Sequence, residues 1–128
     1  MCKVLIVDDK PDVGTTLQGV LNDEGYFTRA VTNEGQAMLA ATQEAFDFVC
    51  VDVRLHDGGD EDESGLSLAM ALRLLNPRTR IIVLTKYVQT QQIVRAIRYH
   101  GAVGFVDKGD ADWCQQVLAT IVENRQEE

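Results

Sequence analysis

Four short apolar runs in this 128-residue chain each lead into residues that could do chemistry. Val4-Leu5-Ile6-Val7 runs into Asp8-Asp9, and Val49-Cys50-Val51 runs into Asp52. Ile81-Ile82-Val83-Leu84 is followed by Thr85, and Val103-Gly104-Phe105-Val106 by Asp107-Lys108. Runs this rich in β-branched and apolar residues suit strands buried on both faces, as in a parallel sheet. Open α/β sheets place their ligands in the crevice beyond the carboxyl ends of the strands. If these strands are parallel, the carboxylates of Asp8, Asp9 and Asp52 converge on one edge with the Thr85 hydroxyl and the Lys108 ammonium. Carboxylates ~4 Å apart repel by about 4 kcal/mol per pair at an effective dielectric of ~20. A hard divalent cation removes that cost, and Mg²⁺ suits few carboxylates and a phosphoryl ligand. An aspartate beside such a cation can attack phosphorus. A Thr and a Lys opposite it would stabilise charge on the transferred oxygens.

The intervening segments must position these groups. Pro11 suits the first turn of a helix whose apolar positions are Val13, Leu17, Val20 and Leu21, with Gly25 as its stop. Residues 26–31 read as a second strand, and Asn33 as the cap of a helix carrying Ala37, Met38, Ala40 and Ala41. The third strand falls at 46–53. Residues 56–65 form the one long polar stretch, with Gly58-Gly59 and four consecutive acids at 60–63 expected to form a solvated loop. Ser64 is the expected cap of a helix over 65–75, which Asn76-Pro77 ends. That helix is apolar nearly all round. Leu68, Met70 and Leu74 cannot all point inward, so part of it should face a partner. A strand at 80–84, a helix at 89–99, a strand at 103–106 and a last helix capped by Asp110 or Asp112 complete the chain. Five strands alternating with five helices make a doubly wound parallel α/β sheet in one domain, residues 1–128.

Composition narrows the class. Hydrophobic residues at 45% and charged ones at 25% are those of an ordinary globular chain, and the net charge of −8 disfavours nucleic-acid backbones. No run of Lys and Arg suggests a local basic patch. No stretch reaches the length of a membrane span and no signal peptide is evident, so a cytoplasmic protein without membrane contact is expected. Cys2, Cys50 and Cys114 are too few and too scattered for a disulfide framework or a zinc site.

Asp8-Asp9, Asp52, Thr85 and Lys108, each after its own strand and in this order, resemble the receiver domain of two-component response regulators over essentially the whole chain. The resemblance implies a flavodoxin-like sheet of strand order 2-1-3-4-5. It implies that Asp52 is the phosphoacceptor and that Asp9, Asp52 and the Arg54 carbonyl bind Mg²⁺ directly, Asp8 through water. Thr85 and Lys108 would contact the phosphoryl group, and the rotamer of Phe105 would follow Thr85. The implied partners are a sensor histidine kinase or phosphotransfer protein, with a homodimer or an output protein left open. The chain would be no enzyme beyond catalysing its own phosphorylation and dephosphorylation.

The chain also departs from the family pattern. His56 and Gly109 stand where receivers usually have Pro, Lys86 stands where a small residue follows the Thr, and Gly65 comes about five residues late. Two other functions fit parts of the pattern. A haloacid-dehalogenase-like phosphohydrolase would need an acid two residues after Asp52, where this chain has Arg54, which cannot donate a proton near neutral pH. A non-phosphorylated interaction module would keep the fold and use the apolar third helix.

Overall fold

The computed structural model describes residues 1–56, 58, 59, 62–86, 95 and 101–125. Its elements are β1 (Lys3–Val7), α1 (Pro11–Asp23), β2 (Phe27–Val31), α2 (Glu34–Gln43), β3 (Phe48–Asp52), α3 (Ser64–Leu75), β4 (Arg80–Thr85), β5 (Ala102–Asp107) and α4 (Trp113–Asn124). The strands form one parallel sheet in the order β2-β1-β3-β4-β5, as expected. The helix expected over 89–99 lies outside the described residues apart from Arg95.

Strand periodicity divides the core into two layers. Leu5, Val7, Val49, Val51, Ile81 and Val83 face one side and pack with Ala37 and Ala40 of α2 and Leu66, Ala69 and Leu72 of α3. Val4, Ile6, Phe48, Cys50, Ile82 and Leu84 face the other and pack with Leu17 and Leu21 of α1 and Cys114, Val117 and Ile121 of α4. β3 is buried over its whole length, as a central strand covered on both faces must be. The three cysteines are free. Among the described residues no helix is long and apolar enough to cross a membrane.

The helix ends follow local chemistry, with two corrections. Pro11 opens α1, and Gly25 (φ +88°) follows it in the left-handed conformation. Asn33 caps α2 by accepting from the Gln36 amide at 2.9 Å. Ser64 does not cap α3. It is the first helical residue, and its hydroxyl accepts from the Leu55 amide at 3.0 Å, across the loop. Neither Asp110 nor Asp112 caps α4 through its side chain, because both carboxylates accept from the Gln116 amide group instead.

Candidate functional site

β1, β3 and β4 end at the same edge of the sheet. Val7 registers with Val51, and Asp52 with Leu84, so Asp8, Asp52 and Thr85 follow or close three adjacent strands. Asp8, Asp52 and Thr85 are all buried. One oxygen from each of Asp8, Asp9 and Asp52 lies within 4.8 Å of the other two. Lys108 reaches in from the turn after β5, its Nζ 2.5 Å from Asp8 Oδ2 and 2.9 Å from Asp52 Oδ2. Its backbone amide donates to the Thr85 carbonyl at 3.0 Å, which ties the hydroxyl-bearing strand to the turn that carries the ammonium. The structure thus brings together the site acids expected from the sequence with Lys108, and sets Thr85 at the adjoining strand end.

The side chains differ in access. Asp8 is fully enclosed, Asp52 keeps 11% of its side-chain surface and Asp9 keeps 21%. The Asp8 Oδ1 accepts from the Lys10 amide at 2.9 Å, while Lys10 Nζ sits 3.1 Å from Asp9 Oδ2 at the rim. The Asp52 Oδ1 accepts from the Arg54 amide at 3.2 Å.

Burial pushes the Asp52 carboxyl above its ordinary range, against the pull of Lys108 and the Arg54 amide and with help from the Asp8 charge. Burial lowers the Lys108 ammonium, but hydrogen bonds to Asp8 and Asp52 outweigh it and hold the proton more tightly than usual. The crowding expected of the acids is therefore partly relieved by Lys108. Three carboxylates converging on one point, all hard oxygen donors, fit Mg²⁺ or Ca²⁺ and do not fit a soft metal.

The loop between β3 and α3 is tied to this edge. Gly65 donates its amide to the Val53 carbonyl at 2.9 Å, and a Cβ there would fall 1.6 Å from the Asp52 carbonyl oxygen. Only glycine can open α3 so close to the strand. Asp62, expected to be solvated, instead organises the loop. It accepts from the amides of His56, Gly58 and Ser64 and from the Ser64 hydroxyl. Burial opposes ionisation of Asp62, but these bonds outweigh it and hold the carboxyl well below the usual range. His56 Nε2 lies 2.7 Å from Glu34, joining the loop to α2, and Glu63 pairs with Arg95. The aspartate two residues before a serine was the available signal for this turn.

Phe105 is partly buried against the core layer of α2 and α3, Lys86 is exposed, and Tyr87 lies outside the described residues.

Comparison with known proteins fits this geometry. The profile of the response regulator receiver domain matches residues 4–119. The response regulator protein PilR of Pseudomonas aeruginosa is 32% identical over 127 residues, covering 98% of this chain and 27% of PilR. Sporulation initiation phosphotransferase F of Bacillus subtilis is 29% identical over 110 residues, covering 86% of this chain and 85% of its own. A crystal structure of a response regulator protein from Burkholderia pseudomallei, with a phosphorylated aspartic acid, calcium ion and citrate, superposes with a TM-score of 0.74. It is 29% identical and covers 97% of this chain and 75% of its own. The chain spans about a quarter of PilR, the first curated relative (27%). With its fold, its ordered strand-end acids and this match over nearly its whole length, the chain belongs to the response regulator receiver domains.

Proposed function

We propose that Asp52 accepts a phosphoryl group from a sensor histidine kinase or phosphotransfer protein, and that the whole chain, residues 1–128, acts in the cytoplasm as the receiver. The observation that carries this reading is the Asp52 carboxylate at the end of the central strand, with Lys108 Nζ 2.9 Å away and a narrow opening to solvent. Asp8 is sealed and Asp9 is paired with Lys10 at the rim, so Asp52 is the enclosed carboxylate a donor can still reach.

Asp8, Asp9, Asp52 and the Arg54 carbonyl would hold Mg²⁺, which when bound neutralises charge on the phosphoryl oxygens. A carboxylate oxygen of Asp52 bonds to phosphorus as the bond from phosphorus to the donor nitrogen breaks, its electron pair leaving with the donor. The Lys108 ammonium, already directed at Asp52, then pairs with a phosphoryl oxygen. Thr85, buried at the adjoining strand end, offers a hydroxyl to another. Hydrolysis reverses the outcome: water attacks phosphorus and the Asp52 carboxylate is regenerated. The signal passes to an output protein or a second copy of the chain. Arg54, placed where a phosphohydrolase needs its acid, counts against turnover of external phosphoesters.

The test is intact mass after incubation with Mg²⁺ and a small acyl-phosphate donor. The reading expects one added phosphoryl group, absent in Asp52→Asn and without Mg²⁺. Equal modification of Asp52→Asn overturns it.

A further inference from the structure

The charges of this chain are segregated. Residues 64–106 hold six of its 12 cations and no carboxylate, so all 20 acidic side chains lie outside that stretch. The same stretch supplies α3, the exposed apolar helix. Met70, Leu74 and Leu75 are 48%, 80% and 49% exposed, while Leu66, Leu68 and Leu72 fill the core. Met70, Arg73 and Leu74 lie three and four residues apart and share a face of α3. Exposed Pro77 and Arg78 follow directly, and among the described residues no carboxylate pairs with Arg78.

We propose that the C-terminal half of α3 and the turn after it, through Met70, Arg73, Leu74, Leu75 and Arg78, dock an acidic amphipathic helix of a partner protein. Apolar side chains of that helix cover the Met70–Leu74 face, and its carboxylates pair with the exposed Arg78 guanidinium, while Arg73, whose guanidinium already donates to the Pro77 carbonyl, adds positive charge beside it. A second copy fits less well. In a two-fold contact this face meets itself and sets Arg73 and Arg78 against their own kind. Three apolar side chains also fall short of the roughly 800 Å² per partner of a stable dimer, but match one helix laid across them. A nucleic-acid backbone offers the apolar trio nothing, and the net charge of −8 repels it. No part of this proposal depends on Asp52, so it stands or falls apart from phosphorylation.

The probe is a fluorescent helical peptide with a leucine stripe flanked by glutamates, titrated into the unphosphorylated chain beside a twin carrying lysines instead. The net charge of the chain favours the lysine twin, so preference for the acidic peptide can come only from a locally basic face. The acidic peptide is expected to bind at least about tenfold tighter and to weaken with salt. Leu74→Ser and Arg78→Glu should each weaken it by about tenfold, with the melting temperature unchanged because both side chains are exposed. Equal binding of the twins, indifference to both substitutions, tighter binding of a labelled single-stranded oligonucleotide, or a dimer that Leu74→Ser dissolves would each overturn the proposal.

Discussion

Replacing Lys108 with Met keeps much of the side chain's bulk and removes the cation that bridges Asp8 and Asp52. The ammonium is 7% exposed and sits 2.5 and 2.9 Å from two carboxylates, one fully enclosed and one 11% exposed. Breaking a buried pair by removing one partner costs about 3–5 kcal/mol, because the remaining charge stays buried without compensation. The opening at Asp52 admits some solvent, which places the expected loss near the lower end, about 3 kcal/mol. For a domain of this size that lowers the melting temperature by roughly 10 °C. Circular dichroism melts in a chelating buffer measure it. Mg²⁺ should restore part of the loss in the mutant, since a divalent ion supplies the missing charge. Asp8→Asn added to Lys108→Met should also recover part of it, by removing one uncompensated carboxylate. If the metal-free mutant melts within about 2 °C of wild type, or the double mutant is no more stable than the single, Lys108 does not hold the acids together.

Three further outcomes follow from the same geometry. Mg²⁺ at a hundredfold excess over its dissociation constant should stabilise the wild type by about 2.7 kcal/mol. Asp9→Asn should lose most of that response, and equal shifts in both proteins would remove Asp9 from the ligand set. Gly65→Ala places a Cβ 1.6 Å from the Asp52 carbonyl oxygen and should cost about 3 kcal/mol or more in urea unfolding. Gly19→Ala, on α1 with nothing within 4 Å, should instead stabilise by about 0.5–1 kcal/mol. Phosphoryl loss after removal of the donor should be slow, and faster in Arg54→Ala and Lys86→Ala, because bulk beside the phosphoryl group obstructs the in-line water. Slower loss in both variants, followed by mass, would contradict that.

The sheet and its reactive edge were legible because β1, β3 and β4 each carry a buried apolar run that gives way to a polar residue at the carboxyl end. Asp8, Asp52 and Thr85 mark those changes, and parallel pairing then leaves little freedom in where they meet. Asn33 was legible for a similar reason, since its cap is a bond to an amide three residues on. What escaped were bonds whose partners are chosen by the fold. The Ser64 hydroxyl serves Leu55, nine residues back, because the loop folds over the end of β3. Asp62 became the centre of that loop, not a solvated acid, because four donors converge on it. The arrival of Lys108 at the acidic edge was legible from its place after β5, but not that Asp8, 100 residues away, would take the shorter of its two bonds. The basic character around α3 was missed for the opposite reason. It consists of an absence of acids spread over many residues, and a search for runs of Lys and Arg does not find it.

The central claim is that Asp52, and neither Asp8 nor Asp9, takes the phosphoryl group. Borohydride reduction of the phosphorylated chain converts the acyl phosphate to homoserine, and peptide mass spectrometry then locates it. The account predicts homoserine at position 52 alone, formed only when Mg²⁺ and the donor are both present. Homoserine at position 8 or 9, or at 52 equally without Mg²⁺, would contradict it.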